Sequence, residues 1–349
     1  MLANARSPHT RRWAEALAGR GWEVHVASIR PAVIPAVTVH RVGVGSGLIG
    51  PLLSYPWMLL TVRRLARRIR PDLIHAHYSV THGAIAVLAR LRPLVVTVWG
   101  SDLVGGDRPV PGPKRWLNRF VLRRVRAVTV ASEFLAGAVG EVAGPGASVA
   151  VVPFGVDTTV FRPGSDPGEG FRVGFVKHLR RRYDPSTLVE GFARLAAAEP
   201  GASLVMAGSG PMLGRLRRRA RRLGVADRIE WLGEVPHEEV PALMRTFHVL
   251  ANPSRSESFG VVLAEAGATG IPAAASAVGG VTDVVVDGET GLLVPPGDPH
   301  ALAAALARLA ADPELRRSMG EAARRRVRER FEWSDCVDRM VAVLEEAGR

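Results

Sequence analysis

The chain has 349 residues, of which 47% are hydrophobic and 23% are charged. This length and balance indicate two globular domains and exclude a disordered chain. The single cysteine, Cys336, excludes an internal disulfide framework and a cysteine zinc site. The net charge of +13 lies entirely in residues 1–155, where 20 Lys and Arg stand against seven Asp and Glu.

The first half of the chain alternates amphipathic segments with short apolar runs. Helices are predicted at residues 8–20, 58–70 and 114–126, and strands at residues 23–27, 72–76, 94–98, 127–131 and 148–152. Strands separated by helices of about 10–15 residues are typical of βαβ units. A parallel sheet is therefore predicted.

Two stretches of this half depart from the regular pattern. Residues 42–62 carry no charge, but four glycines and two prolines interrupt them. We therefore predict a loop and a buried helix start rather than a membrane span. Only three apolar residues precede Asn4, whereas a buried parallel strand needs about five. The first strand is expected to be a stub or to lack residues on its N-terminal side.

A loop rich in Pro and Gly at residues 153–164 marks the expected domain boundary, and the alternation then restarts. Strands are predicted at residues 172–176, 203–207, 229–232, 249–252, 272–276 and 291–294. Helices are predicted at residues 186–198, 212–223, 240–245, 260–269, 301–311 and 313–330. Ligands of such sheets bind at the carboxyl ends of the strands. Two similar α/β halves facing each other would therefore hold a donor and an acceptor in one cleft.

The strongest local signal lies in residues 252–266, where two glutamates stand eight positions apart. Glu257 falls in a loop after a strand, and Glu265 falls two turns into the next helix. Between them, Ser258, Phe259 and Gly260 form the helix start, whose unpaired backbone N–H groups favour an anion. We expect a diphosphate at this start, with Glu265 on a ribose and Glu257 on a transferred sugar.

This segment resembles the Glu-x7-Glu signature of the family-4 retaining glycosyltransferases. Further segments that resemble this family lie at residues 153–161, 207–211, 233–237, 279–280 and 287–294. The resemblance implies the GT-B fold, an α/β architecture of two Rossmann-like domains with parallel sheets facing across a cleft. It implies an acceptor-binding domain at residues 1–155 and a donor-binding domain at residues 156–330, with helix 331–349 packing back on the first domain.

The resemblance also implies roles for individual residues. Catalytic roles fall to Glu257, Lys177 and Arg182, although the family has Arg and Lys in the opposite order and Arg181 is nearly as good a match. Donor-binding residues by the same resemblance are Glu265, Ser258, Phe259, Gly260, Val261, Gly208, Gly210 and Val235. No Asp-x-Asp pair occurs, in agreement with a metal-independent family, so basic side chains must neutralise the leaving diphosphate. No metal and no cofactor are expected; the nucleoside-diphosphate sugar is a co-substrate.

The sequence departs from the family pattern in its first domain. No Gly-Gly pair follows the first strand, and the loop at residues 4–10 carries His9, which is expected at the acceptor or a phosphate. Trp99 stands where the family often has a histidine; it can stack on a sugar but cannot act as a base. Asp102 is the best remaining polar group for acceptor binding. No role is assigned to His75 and His77.

The sequence therefore predicts a retaining glycosyltransferase of the hexosyltransferase type that moves a sugar to a hydroxyl acceptor, such as a lipid-linked or cell-envelope glycan or a small molecule. Alternatives are a GT-B-type nucleotide-sugar epimerase, a basic nucleic-acid-binding protein and, ranked low, an NAD-dependent dehydrogenase. No helix-turn-helix, zinc or aromatic RNA-binding pattern supports the second, so no nucleic acid is expected.

The first five residues lack the apolar core of a signal peptide, which predicts a cytoplasmic protein. The basic helix at residues 114–126 suggests peripheral association with the anionic inner face of the plasma membrane. Two plainer explanations stay open. The apolar residues of that helix (Trp116, Leu117, Phe120 and Val121) can pack inside the domain, and the charge can reflect an arginine-rich composition, since only Lys114 and Lys177 are lysines.

Overall fold

The computed structural model describes residues 1–43, 50–104, 110–165 and 167–349. The chain forms two compact units. Unit 1 comprises Met1–Pro153 and Cys336–Arg349, and unit 2 comprises Phe154–Asp335. Each has its own apolar core.

Unit 1 is built on parallel strands. These are β1 (His25–Ser28), β2 (Thr38–Arg41), β3 (Ile74–His77), β4 (Leu94–Val98), β5 (Ala127–Val130) and β6 (Val149–Val151). β1 pairs with β2, and the others follow the order β3-β4-β5-β6. Leu2 bridges both Ala27 of β1 and Ala76 of β3 in parallel. Residues 1–3 thus take the place of a strand between β1 and β3, with backbone hydrogen bonds to both.

The helices of unit 1 that precede the boundary are α1 (Pro8–Gly19), α2 (Gly50–Ile69), α3 (Ala84–Leu88), α4 (Gly112–Leu122) and α5 (Glu133–Ala143). A π-helical turn, Tyr78–Gly83, precedes α3. α2 begins eight residues earlier than predicted and contains Pro56, which was expected to lie before the helix. The fully buried side chains of Met58 and Val62 anchor the following turns in the core, so packing overrides the cost of an interior proline.

Unit 2 contains one six-stranded parallel sheet, in the order β12-β11-β10-β7-β8-β9. Its strands are β7 (Phe171–Val176), β8 (Ala202–Ala207), β9 (Ile229–Gly233), β10 (Val249–Asn252), β11 (Ala273–Ser276) and β12 (Gly291–Val294). Each lies within two residues of its predicted position. Phe175, Phe192 and Phe247 are among the largest fully buried side chains of the described residues.

The helices of unit 2 are α6 (Pro185–Ala198), α7 (Leu213–Arg222), α8 (Val240–Met244), α9 (Val261–Ala268), α10 (Val281–Val284), α11 (Pro299–Ala311) and α12 (Pro313–Arg330). Aspartates cap three of them by accepting backbone N–H groups: Asp184 at α6, Asp298 at α11 and Asp312 at α12. Each capped helix then begins with proline, whose fixed φ suits the first helical position.

The last helix, α13 (Trp333–Gly348), crosses the unit boundary in sequence, because its residues from Cys336 onward belong to unit 1. An ion pair between Arg20 and Asp338 (2.7 Å) joins the end of α1 to α13. Within the described residues, no helix is both long and apolar enough to cross a membrane. Part of the uncharged stretch at residues 42–62 (residues 44–49) lies outside the described residues.

Candidate functional site

The two loops predicted to carry the chemistry follow adjacent strands of unit 2. β7 and β10 pair in parallel, with Val173 opposite Val249, so their carboxyl ends lie at the same edge of the sheet. Lys177 comes directly after β7, and Glu257 lies five residues after the end of β10. This topology brings together two residues that are 80 positions apart in sequence.

Lys177 and Glu257 form an ion pair between the Lys177 Nζ and a Glu257 carboxylate oxygen. Their side chains are only 12% and 13% exposed. The Lys177 ammonium also lies 4.7 Å from the ring centroid of Tyr183, within the range of a cation–π interaction. The pair is thus a shielded charge couple in which an incoming anion could compete with Glu257 for the lysine.

Further contacts tie the Lys177 loop to the Glu257 loop. Arg182 donates from Nε to the carbonyl of Ser256 (3.1 Å), and the backbone N–H of Arg255 donates to the carbonyl of Arg182 (2.9 Å). The Arg255 guanidinium pairs with Asp184 (2.8 Å). Arg182 is therefore anchored to the glutamate loop, whereas the side chain of Arg181 is exposed.

Sequence reasoning missed Tyr183, Asp184 and Arg255. Asp184 carries a sequence signal, since an Asp-Pro pair before an amphipathic run is typical of a helix start. It caps α6 and is buried, and its carboxylate accepts from the Thr187 hydroxyl (2.8 Å). Arg255 and Tyr183 have no such signal, because their roles depend on the neighbouring loop.

The glycine turn after β8 packs closely against the Lys177 loop. Gly208 has φ +147° and Gly210 has φ +159°, a region that favours glycine. A Cβ at Gly208 would overlap the Lys177 carbonyl oxygen, and one at Gly210 would lie 2.5 Å from the Leu179 carbonyl oxygen. The N–H of Leu179 donates to the Ser209 carbonyl (2.9 Å). Both glycines are therefore needed for the backbone approach that shapes this loop.

The start of α9, where a diphosphate was expected, is shaped by Gly260 and Phe259. Gly260 caps the helix in the left-handed conformation (φ +93°). Phe259 is buried, and its ring lies 6.0 Å from that of Phe154 and 5.4 Å from that of Phe331. Phe259 can therefore offer a ligand only its backbone N–H, not its side chain. Ser258 and Val261, on either side, are partly exposed.

The remaining predicted donor residues lie around these loops. Glu265 is the fifth residue of α9 and is buried. Val235 is half-buried, two residues beyond the end of β9, and the Gly208 N–H donates to the carbonyl of Gly233 (2.5 Å), which joins the glycine turn to that strand. Gly280, in one of the segments that resemble the family, donates its N–H to the Glu257 carbonyl (3.1 Å).

In unit 1, the predicted acceptor residues His9 and Trp99 lie in contact. Their rings stack with centroids 5.4 Å apart, and the buried His77 ring meets Trp99 edge-on at 5.0 Å. His77 also hydrogen-bonds through Nδ1 to the Thr10 hydroxyl (3.2 Å). His9 is exposed and Trp99 half-buried, so both can meet a ligand.

Asp102 lies in the loop that follows β4 and is buried. Its carboxylate accepts from the backbone N–H groups of Gly100 (3.0 Å) and Ser79 (3.0 Å), and from the Ser79 hydroxyl (3.2 Å). Burial raises the pKa of this carboxyl, and those hydrogen bonds oppose the rise. Asp102 thus holds the loop after β4 to the π-helical turn. Its direct contact with an acceptor stays a prediction.

His75 and His77, left without a role by the sequence, are buried neighbours in β3. Burial lowers the pKa of His75 to about 3 and that of His77 well below its usual value. His75 Nε2 hydrogen-bonds to the Thr97 hydroxyl (2.6 Å). Among the described residues, no group of three or more His, Cys, Asp or Glu is placed to hold a metal ion.

Comparison with known proteins finds a matching family model for each half of the chain. The model of the glycosyl transferase 4-like domain matches residues 7–155, and that of the glycosyl transferases group 1 matches residues 157–326. The chain is 35% identical to D-inositol 3-phosphate glycosyltransferase of Kribbella flavida, over 83% of this chain and 77% of that protein. It is 29% identical to N-acetyl-alpha-D-glucosaminyl L-malate synthase of Bacillus anthracis, over 90% of this chain and 87% of that protein.

Among solved structures, sucrose-phosphate synthase of Thermosynechococcus elongatus superposes with a TM-score of 0.86 at 25% identity, covering 97% of this chain and 92% of that one. Anabaena HepE in complex with UDP superposes with a TM-score of 0.84 at 20% identity, covering 99% and 98%. The chain therefore belongs to the group 1 glycosyl transferases, and it is a transferase enzyme with the GT-B fold.

Proposed function

We propose that the protein transfers a sugar from a nucleoside-diphosphate sugar to a hydroxyl group, with retention of the anomeric configuration, and that the Glu-x7-Glu pair Glu257 and Glu265 serves the donor. The observation that carries the proposal is the shielded Lys177–Glu257 pair, with Arg182 anchored beside it, at the carboxyl ends of β7 and β10. This is the edge of a parallel sheet at which ligands bind.

The start of α9 is the proposed diphosphate site. Its backbone N–H groups and dipole favour negative charge, and the nearby Lys177 and Arg182 supply the cations. Glu265 would accept hydrogen bonds from the ribose hydroxyls. HepE, which shares the fold, was solved with UDP and with UDP-glucose, and a mycobacterial relative at 30% identity is named as GDP-mannose-dependent. These names support the nucleotide class, not one base.

The reaction breaks the bond between the anomeric carbon and the β-phosphate oxygen, and forms a bond from that carbon to the acceptor oxygen. The acceptor proton passes to the leaving phosphate on the same face of the sugar. Lys177 and Arg182 stabilise the developing diphosphate charge without a metal. Glu257 holds Lys177 until the donor arrives and then accepts from a hydroxyl of the sugar.

Unit 1 is the proposed acceptor-binding part, with His9 and Trp99 in contact with the acceptor. The names of two relatives include L-malate and inositol 3-phosphate, both of which are anions, and the charge of residues 1–155 suits an anionic acceptor. We propose a lipid-linked or cell-envelope glycan, reached by a cytoplasmic protein bound peripherally to the inner face of the plasma membrane. The epimerase and nucleic-acid-binding alternatives are not favoured by the relatives.

The direct test of donor binding is a thermal-shift series with UDP, GDP, ADP and TDP. At least one should raise the melting temperature of the wild-type protein, because a ligand that binds only the folded state stabilises it. Glu265→Ala should lose most of that rise. If none of the nucleotides changes the melting of the wild-type protein, the donor proposal fails.

Retention is tested separately by proton NMR of the product formed from the matching α-linked donor sugar. The coupling constant of the new anomeric proton should report an α linkage. A β-linked product would contradict the same-face mechanism. Interconversion of donor sugars without any acceptor would instead favour the epimerase.

A further inference from the structure

Three helices of unit 1 form a continuous layer. α3 packs against both α2 and α4. Connections between parallel strands are right-handed, so helices that lead the chain in the same direction across a sheet lie on one of its faces. The outer sides of α2, α3 and α4 therefore belong to one surface.

This surface exposes large apolar side chains. Trp57 (45% exposed) and Leu60 (54%) lie on α2, Leu88 (57%) on α3 and Trp116 (65%) on α4. They are four of the nine large hydrophobic side chains that stand out as exposed among the described residues. Single exposed apolar residues are ordinary, but four of them on three adjoining helices make this surface a candidate for an interaction.

The helix whose apolar residues could either pack inside the domain or face a membrane is buried only in part. Val121 and Leu122 enter the core of unit 1, whereas Trp116 points outward and stacks on Phe120 (5.6 Å). The Arg124 guanidinium lies over the Phe120 ring, 4.1 Å from its centroid. The plainer explanation, in which all four apolar residues pack inside the domain, is therefore wrong for Trp116.

The charge carried by these three helices has one sign. α2, α3 and α4 contain no Asp or Glu. The exposed arginines on these helices are Arg63, Arg64, Arg67 and Arg68 on α2 and Arg115 and Arg119 on α4. Tryptophan favours the level of lipid headgroups, and arginine pairs with their phosphates.

We infer that the α2–α4 surface, defined by Trp57, Leu60, Leu88, Trp116 and these six arginines, docks on an anionic lipid bilayer. The inference rests on the proposed function, which already includes binding to the inner face of the plasma membrane, and adds the surface that makes the contact. Nucleic acid is a poorer partner, because a phosphate backbone offers nothing to Leu60 and Leu88. An anionic bilayer offers both a charged level and an apolar level to this surface.

The chain contains a matched control surface. α7 in unit 2 exposes Arg215, Arg217, Arg218, Arg221 and Arg222, but none of the strongly exposed aromatic side chains lies on it. If charge alone caused membrane binding, α7 would serve as well as α2 and α4. The inference predicts that it does not.

Vesicle flotation of the full chain tests this. With vesicles of equal parts phosphatidylcholine and phosphatidylglycerol at low salt, the wild-type protein should float, and with phosphatidylcholine alone it should not. Trp57→Ser with Trp116→Ser should reduce the floating fraction at least tenfold, as should Arg64→Glu with Arg119→Glu. Arg218→Glu with Arg221→Glu on α7 should leave it unchanged.

Equal loss of flotation in the α7 variant would overturn the inference, as would wild-type flotation in the tryptophan variant. Tight, salt-sensitive binding of an oligonucleotide through the same residues, without flotation, would assign the surface to nucleic acid instead. Thermal shift with UDP and GDP separates membrane docking from donor binding. All variants should keep the wild-type nucleotide response, so loss of flotation does not count against donor binding, and loss of the nucleotide response does not count against docking.

Discussion

Removing the charge of Lys177 and removing the charge of Glu257 should have opposite effects on nucleotide binding. Both side chains are nearly buried, so removing one partner leaves the other charge uncompensated. Such a loss in a buried pair costs about 3–5 kcal/mol of unfolding free energy, and the small remaining exposure places both variants near about 3 kcal/mol. Lys177→Met and Glu257→Gln should therefore destabilise the unbound protein to a similar degree.

A bound nucleoside diphosphate should distinguish the two variants. In Glu257→Gln the unpaired ammonium of Lys177 is available for the diphosphate, so the ligand should restore part of the lost stability and bind at least as tightly as to wild type. In Lys177→Met the ligand meets an uncompensated Glu257 carboxylate, and binding should weaken by about 1.5–3 kcal/mol, the worth of a hydrogen bond to a charged group.

Urea denaturation with and without the best nucleotide of the thermal-shift series measures both effects, and calorimetry measures the affinity. Turnover should fall strongly in Glu257→Gln while nucleotide affinity is kept. Equal weakening of nucleotide binding in both variants would refute the reasoning, because Glu257 would then contact the nucleotide itself. The double variant should be less destabilised than the sum of the two single variants, since the charges are coupled.

Four further outcomes are expected. Glu265→Ala should weaken nucleotide binding by about 1–3 kcal/mol in calorimetry, and unchanged affinity would remove it from the ribose site. Arg255→Ala should lower kcat by misplacing the Glu257 loop, with partial rescue by Arg255→Lys, whereas equal kcat in wild type and both variants would show that Asp184 and Arg182 hold the loop unaided. Trp99→Ala should raise KM for the acceptor but not for the donor; the reverse pattern would move Trp99 to the donor. The lowered pKa of His75 keeps this side chain neutral in the folded protein. The free energy of unfolding should therefore be at its full value above pH 6.5 and fall by up to about 1.4 kcal/mol per pH unit toward pH 3. The same plot of unfolding free energy against pH should be shallower for His75→Gln.

The strand positions and the parallel direction of the sheets could be predicted from the sequence. The buried parallel strands of unit 2 are short apolar runs bounded by turn residues, so their positions were clear within two residues. β2 was missed because it has no fully buried side chain to give an apolar run. α5 was missed because Gly137 and Gly140 interrupt its helical pattern.

The contacts that define the site could not be predicted from the residues alone. That Lys177 meets Glu257 depends on the pairing of β7 with β10, which spacing along the chain does not encode. Phe259 was expected to bind the donor, but only its backbone can, because two other phenylalanines enclose its ring. The burial of Asp102 depends on backbone donors from another segment, Ser79 among them, which have no signature in sequence.

The most direct test of the central claim is the crystal structure of the protein with a bound nucleoside diphosphate. The β-phosphate should lie within about 2.7–3.1 Å of backbone N–H groups at the start of α9 and of the Lys177 ammonium, with the ribose hydroxyls on Glu265. The Lys177–Glu257 pair should be loosened relative to the unbound protein. A diphosphate bound elsewhere on the chain, with that pair intact, would contradict the account.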